Sequence, residues 1–137
     1  MRKKTITLGK LKDKVQKVFN KYIRLRDSGG GFFTCISCGV TKSTDVCDAG
    51  HFYAKQGYDG LRFDEDNCHA ECQGCNRFDQ SHLIGYCKGL ALKLELSQVI
   101  DLHNKAAAYK VNTNFKWDRS ELEAMIKHYT EKIKEVQ

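Results

Sequence analysis

The chain has 137 residues, 41% of them apolar, and a formal charge of +6. That suffices for one compact domain with a helical extension and is too little for two full cores. The longest apolar run, Leu90 to Leu96, is broken by Lys93 and Glu95, and the N-terminus lacks the apolar stretch of a secretory signal, so a soluble, cytoplasmic chain is expected.

Residues 1–26 hold ten Lys or Arg against Asp13 alone, a charge of +9, whereas the remainder, thirteen basic against sixteen acidic residues, sums to −3. A basic segment of this kind suits a phosphate backbone, whose condensed counterions are released on contact; a solvated helix face is the simpler alternative for any one lysine. Leu8, Leu11, Val15, Val18, Tyr22 and Leu25 recur in steps of three and four, which predicts a helix over 7–27 with one apolar stripe. The stripe packs on the domain or on a partner helix. Gly29 to Gly31 form the one obvious joint in a chain without proline.

From Phe32 to Phe63 short apolar pieces alternate with glycines and cysteines, as in small hairpins built around a metal. Cys35-Ile-Ser-Cys38 and Cys72-Gln-Gly-Cys75 are two Cys-x-x-Cys knuckles separated by 33 residues. Each brings two thiolates to one ion, and together they complete a tetrahedral all-sulfur shell for a structural Zn²⁺ with no open position for chemistry. A redox pair would need a βαβ pattern that is missing here. Cys47, Cys68 and Cys87 read as small buried apolar residues, with Cys68 close enough to the second knuckle to serve as an alternative ligand.

After Asn76 the periodicity is helical again. Leu83, Ile84, Cys87, Leu90, Ala91 and Leu94 form the predicted inner face of one helix, and Ser97 is the expected N-cap of the next. Asp118 and Glu121 form a capping pair with Trp117 as staple, ahead of an apolar face made of Leu122, Met125, Ile126, Tyr129, Ile133 and Val136.

Between and beside the knuckles lie Cys47-Asp48-Ala49-Gly50-His51, Asp66-Asn67-Cys68-His69-Ala70-Glu71 and Asn76. Phosphodiester hydrolysis needs a base for water and a hard cation for the phosphate and leaving oxygen, and a His, an Asp and an amide could supply both. Taken alone, a hairpin His is more often an ordinary hydrogen-bonded residue.

From Cys35 to Arg77 the combination resembles the HNH (His-Me finger, ββα-metal) endonucleases of the four-cysteine type. A wider likeness is carried by Cys-Asp-Ala-Gly-His at 47–51, Leu61-Arg62-Phe63, Asp66-Asn67, His69-Ala70 and Cys75-Asn76-Arg77. In these the chain is similar to the phage NinG (Rap) recombination proteins, a family associated with cutting branched intermediates such as Holliday junctions. The spacing Asp48-x-x-His51, with Asn76 after the last knuckle cysteine, is also similar to phage endonuclease VII. The resemblance implies an α+β fold: a zinc-stabilised ββα-metal core over 29–96, a basic helix over 1–28 and a C-terminal helical extension over 97–137. It implies that His51 is the general base, that Asp48 and Asn76 hold a catalytic Mg²⁺ that Mn²⁺ can replace, and that Asn67 ties the hairpin loop and orients the base.

Many HNH enzymes place an Asp or His directly before the base, where this chain has Gly50, so the metal carboxylate must come from Asp48. His69 is a further candidate for the site or packs behind it. His82 has a helix-start hydrogen bond as its simpler role, and Glu71 and Glu95 are possible extra carboxylates. Arg62, Arg77 and Lys55 are expected DNA backbone contacts. Cutting two related strands suggests a homodimer, with the stripe of the first helix as candidate interface. Competing expectations are an HNH endonuclease without junction preference, nicking or double-strand cutting, and a zinc module that binds nucleic acid without cleaving it.

Overall fold

Thr7 opens the first helix, α1 (Leu8–Arg26), by accepting a hydrogen bond from Lys10 N–H at 3.2 Å. The structure, a computed structural model, describes residues 4–79, 81–112 and 114–137, so Arg2 and Lys3 of the basic segment lie outside it. Three short strands follow as an antiparallel sheet in the order β1 (Ser28–Gly29), β2 (Phe32–Thr34) and β3 (Thr41–Ser43). The first knuckle joins β2 to β3. It turns at Gly39, whose φ of +73° is a conformation only glycine adopts without strain, and Gly39 N–H closes the turn on Cys35 O at 2.9 Å.

A second antiparallel pair joins β4 (Cys47–His51) to β5 (Cys68–Cys72), in a register that places Asp48 opposite Glu71 and Gly50 opposite His69. The second knuckle ends β5 and enters a single π-helical turn, Gly74–Phe78, ahead of α2 (His82–Lys93). Then come α3 (Leu96–Val111) and α4 (Arg119–Val136). The α+β organisation predicted from the sequence is present. Among the described residues no helix is long and apolar enough to cross a membrane.

The main core forms where α1 meets α4 over the β4–β5 pair. Leu11, Val15, Phe19, Tyr22 and Ile23 pack against Leu122, Tyr129, Ile133, Phe63 and Cys68. Phe19 meets Tyr129 edge-on at 5.0 Å and Phe63 at 5.9 Å. Leu11, Val15 and Tyr22 of the predicted stripe are thereby buried within the chain, while Leu8 at its start is exposed. Asp118 caps α4 as predicted, accepting from Ser120 N–H, and Trp117 packs on Phe63 at 5.1 Å while its ring N–H donates to Asp59 O.

Three expectations are corrected. The inner face of α2 is Tyr86 and Leu90, packed with Ile36 and Leu102, whereas Leu83, Ile84, Cys87 and Ala91 are exposed. The reason is backbone proximity: a Cβ on Gly85 would overlap Ser37 O and one on Gly89 would overlap Ile36 O, so α2 lies directly on the first knuckle. Cys87 is accordingly a surface residue. Finally, α3 is capped by Glu95, with Gln98 Oε1 accepting from Glu95 N–H at 3.0 Å, and not by Ser97. Glu95 therefore serves a helix end and is not a site carboxylate.

Candidate active site and metal centre

Each knuckle supplies its two sulfurs from a tight turn, and β2 and β5 bring the turns together. The sulfurs of Cys35, Cys38, Cys72 and Cys75 all lie within 4.8 Å of one another and could hold one zinc ion. Backbone N–H groups of Cys38 and Cys72 point at Cys35 Sγ, at 3.4 and 3.3 Å. Burial raises the Cys72 thiol, but hydrogen bonds from Cys75, Cys35 and Lys42 outweigh it and bring it down to about 7, toward the thiolate a metal needs. Cys68 is buried in the α1–α4 core and is not part of this cluster, so the alternative ligand is ruled out; Cys47 is buried beside it.

Sixteen residues separate β4 from β5, and the buried side chain of Asn67 organises the segment between. Its amide donates to Tyr53 O at 3.0 Å and Leu61 O at 3.1 Å and accepts from Tyr53 N–H at 2.8 Å. This fixes the carbonyl of Arg62, the next residue after Leu61, which accepts from His51 Nε2–H at 2.9 Å. The tautomer follows from that bond: Nε2 carries the hydrogen and Nδ1 keeps its lone pair, with no hydrogen-bond partner among the described residues. Burial, with the cations of Lys55 and Arg62, holds the imidazole below its ordinary value against the bond to Arg62 O. A neutral histidine with one open nitrogen is the result.

His51 lies in a cleft of about 400 Å³ with Ala49, Ala54, Lys55 and Gln56, walled on one side by Gln16 and Asn20 of α1 and on the other by Asn76 and His82. Asp48 stands behind Asn76, which donates to its Oδ2 at 2.9 Å, while Arg77 binds both carboxylate oxygens at 2.8 and 2.9 Å. The carboxylate and amide expected to share a cation are thus in contact, and Arg77 is engaged by Asp48 although its side chain is exposed. Lys55 is exposed at the cleft.

Two site candidates do other work. Arg62 is buried, with its guanidinium on Gln16 Oε1 at 2.9 Å and Asp59 Oδ1 at 3.3 Å, so it clamps the loop to α1 and offers no free cation to DNA. His69 is also buried: Nε2–H donates to Asp66 O, and Nδ1 accepts from Lys93 at 2.8 Å and Arg26 at 3.2 Å. Burial first, then the Lys93 cation, pushes His69 down to about 4, so it is a neutral structural histidine that joins α1 to α2. His82 does not bond the start of its own helix. Its Nδ1–H donates to Glu71 Oε2 at 2.7 Å, a partnership with a fully buried acid that an isolated Glu in a sequence does not announce.

The class defined by these features is an α+β module in which a four-cysteine cluster frames a histidine-lined cleft beside a basic helix. The chain belongs to the NinG family: the family model described as the bacteriophage lambda NinG protein matches residues 1–137. It is 30% identical to protein ninG of Salmonella phage P22 over 121 residues, 88% of this chain and 55% of that protein. It is 29% identical to protein ninG of Escherichia phage lambda over 121 residues, 88% of this chain and 54% of that one. A shorter stretch of 71 residues is 38% identical to protein ninG of Enterobacteria phage H19B, covering 52% of this chain and 33% of that one. The chain thus spans about half the length of the curated relatives it matches. No solved structure matches it.

Proposed function

We propose that the chain is a metal-dependent DNA endonuclease of the HNH kind, acting on branched recombination intermediates, with a structural zinc ion on Cys35, Cys38, Cys72 and Cys75. The observation that carries the reading is His51: Nε2–H is fixed on Arg62 O by a loop that Asn67 ties together, and Nδ1 is left open in a cleft that also holds Asn76. An imidazole held in one tautomer and kept neutral is suited to take a proton from an attacking water. The order β4, β5, π turn and α2, with the base at the end of β4 and an amide after the last cysteine, supports the ββα-metal comparison.

The donor set fits a hard cation. Asp48 and Asn76 are side by side and offer oxygen, and they would hold Mg²⁺, which supplies positive charge for the phosphate and the leaving oxygen when bound. Arg77, which neutralises Asp48 in this structure, is then released toward the DNA. Lys10, Lys14, Lys17 and Lys21 are exposed along α1, the helix that walls the cleft, and give the backbone of a duplex a sequence-independent seat.

The test is Mg²⁺-dependent cleavage of four-way junctions, supercoiled plasmid and linear duplex by zinc-loaded chain. His51→Ala is expected to lower the rate roughly 10²–10⁴-fold while leaving junction binding intact. Activity should fall as pH drops through the depressed His51 value, because protonation removes the Nδ1 lone pair. Equal cutting of junctions and linear duplex would remove the junction preference and keep the nuclease. Unchanged cutting by His51→Ala would remove His51 as base, and binding without any cutting would leave a nucleic-acid-binding zinc module.

A further inference from the structure

Glu71 is a fully buried carboxylate in the middle of a strand pair. Ser37 Oγ and His82 Nδ1 both donate to Oε2, while Oε1 is buried with no partner among the described residues. The room for it comes from Gly50, where an added Cβ would overlap Glu71 Oε1 and lie 2.9 Å from Glu71 Cβ. A buried, half-satisfied carboxylate is a costly way to fill that space, since an apolar side chain would do so without losing solvation. Packing therefore does not explain it.

What Glu71 achieves is the orientation of His82. By taking Nδ1–H it leaves Nε2, which has no partner among the described residues, as the other nitrogen of an imidazole that lines the cleft with Asn76 and His51. A histidine that donates one ring N–H to a carboxylate and presents its other nitrogen to an opening is arranged as metal-ligating histidines are, with tautomer, ring angle and basicity set by the acid behind it. We propose that His82 Nε2 is a further ligand to the divalent cation of the cleft and that Glu71 is its positioning residue. The assignment rests on the nuclease reading for the presence of that cation, and it gives the site a nitrogen donor beside the oxygens of Asp48 and Asn76. Imidazole suits a first-row transition ion better than Mg²⁺, so the site should select Mn²⁺.

The experiment is a Mn²⁺ titration of the zinc-loaded full chain without DNA, read by the electron paramagnetic resonance of the free ion, with Mg²⁺ as competitor. Wild type should bind one Mn²⁺ more tightly than Mg²⁺. His82→Ala should weaken Mn²⁺ at least about tenfold and Mg²⁺ less, and Glu71→Gln should weaken Mn²⁺ by about tenfold with zinc content and circular dichroism unchanged. His128→Ala, on the exposed face of α4, should leave the affinity as it was. In the wild-type chain, substoichiometric Mn²⁺ should broaden the His82 ring resonances before those of His69, His103 and His128, a readout that needs no variant to fold. Wild-type Mn²⁺ affinity in His82→Ala overturns the proposal, as does a His82 ring that stays sharp while Mn²⁺ binds, or no binding up to millimolar ion. Mn²⁺ bound through His82 by a chain that cuts no DNA would sustain the ligand assignment and sink the nuclease reading.

Discussion

The α1–α4 half and the knuckle half of the molecule are held together by different forces. Ten buried residues, among them Phe19, Phe63, Leu122, Tyr22 and Tyr129, interlock between the helices. Around the knuckles the buried cluster is Phe33, Cys35, Cys47, Ala70 and Cys72, in which three of the five are cysteines and the adjoining strands of the first sheet are two or three residues long. Burial of apolar area stabilises the first by ordinary means. The second has little of it, and a zinc ion on the four clustered sulfurs would supply folding free energy there. The cleft lies along the seam, with Gln16 and Asn20 from the helical side and Asn76 from the knuckle side. His51 and Asn76 are thus set beside a knuckle frame that has little apolar packing, while the helices supply the wall.

The sharpest break of this contrast is removal of the ion. Stripping zinc, or Cys72→Ser, should cost on the order of 10 kcal/mol of binding-coupled stability and abolish hydrogen-exchange protection in β4 and β5. Retained protection after verified zinc loss would show that the knuckle half folds without metal. Next in size is Phe19→Ala, expected to destabilise the zinc-loaded chain by about 3–5 kcal/mol in urea unfolding with zinc content unchanged.

A third test falls on the junction of the halves, where His69 binds Lys93, Arg26 and Asp66 O. Its native value of about 4 lies below the ordinary 6.5, so the unfolded chain takes up a proton that the native chain refuses. The stability this neutral histidine contributes is complete above pH 6.5 and is lost as pH falls toward 4, a change of about 3 kcal/mol. Histidine NMR should find the His69 ring neutral, with hydrogen on Nε2, at pH 5. A ring that titrates near 6.5 would remove the linkage.

Legibility in the sequence divides along the same seam. The four knuckle cysteines are readable because Cys-x-x-Cys fixes two sulfurs locally, and α1 and α4 because helical spacing displays their buried faces. The tying role of Asn67 and the contact of Asp48 with Asn76 involve residues within or beside those knuckles. Glu71 and Arg62 were not readable as buried residues: a charged side chain in a strand or loop looks solvated until its partners are known. Glu71 is inside because Gly50 leaves space, and Arg62 because Gln16 and Asp59 receive its guanidinium. The inner face of α2 was hidden for a different reason. Counting apolar side chains favours Leu83, Ile84, Cys87 and Ala91, but the contact is made by Gly85 and Gly89, which carry no hydrophobic signal, with Tyr86 and Leu90 beside them.

That glycine contact supplies the finest test of the two-force picture. An alanine at position 85 gains roughly 1 kcal/mol of helix propensity over glycine. Against this, its methyl group would overlap Ser37 O and lie 2.9 Å from Ser37 C, backbone atoms of the knuckle that can yield only if α2 moves away. Overpacking of this kind costs about 1–3 kcal/mol, so Gly85→Ala should be destabilising by a net of about 0–2 kcal/mol, the difference of the two. The displacement would carry His82, three residues before Gly85 on the same helix, away from Glu71 of β5, while leaving the α1–α4 core alone. Chemical denaturation should therefore show a modest loss, and Mn²⁺ affinity should fall with it. A Gly85→Ala chain that is more stable than wild type would mean that α2 adjusts freely against the knuckle, and the cleft would then have one firm wall and not two.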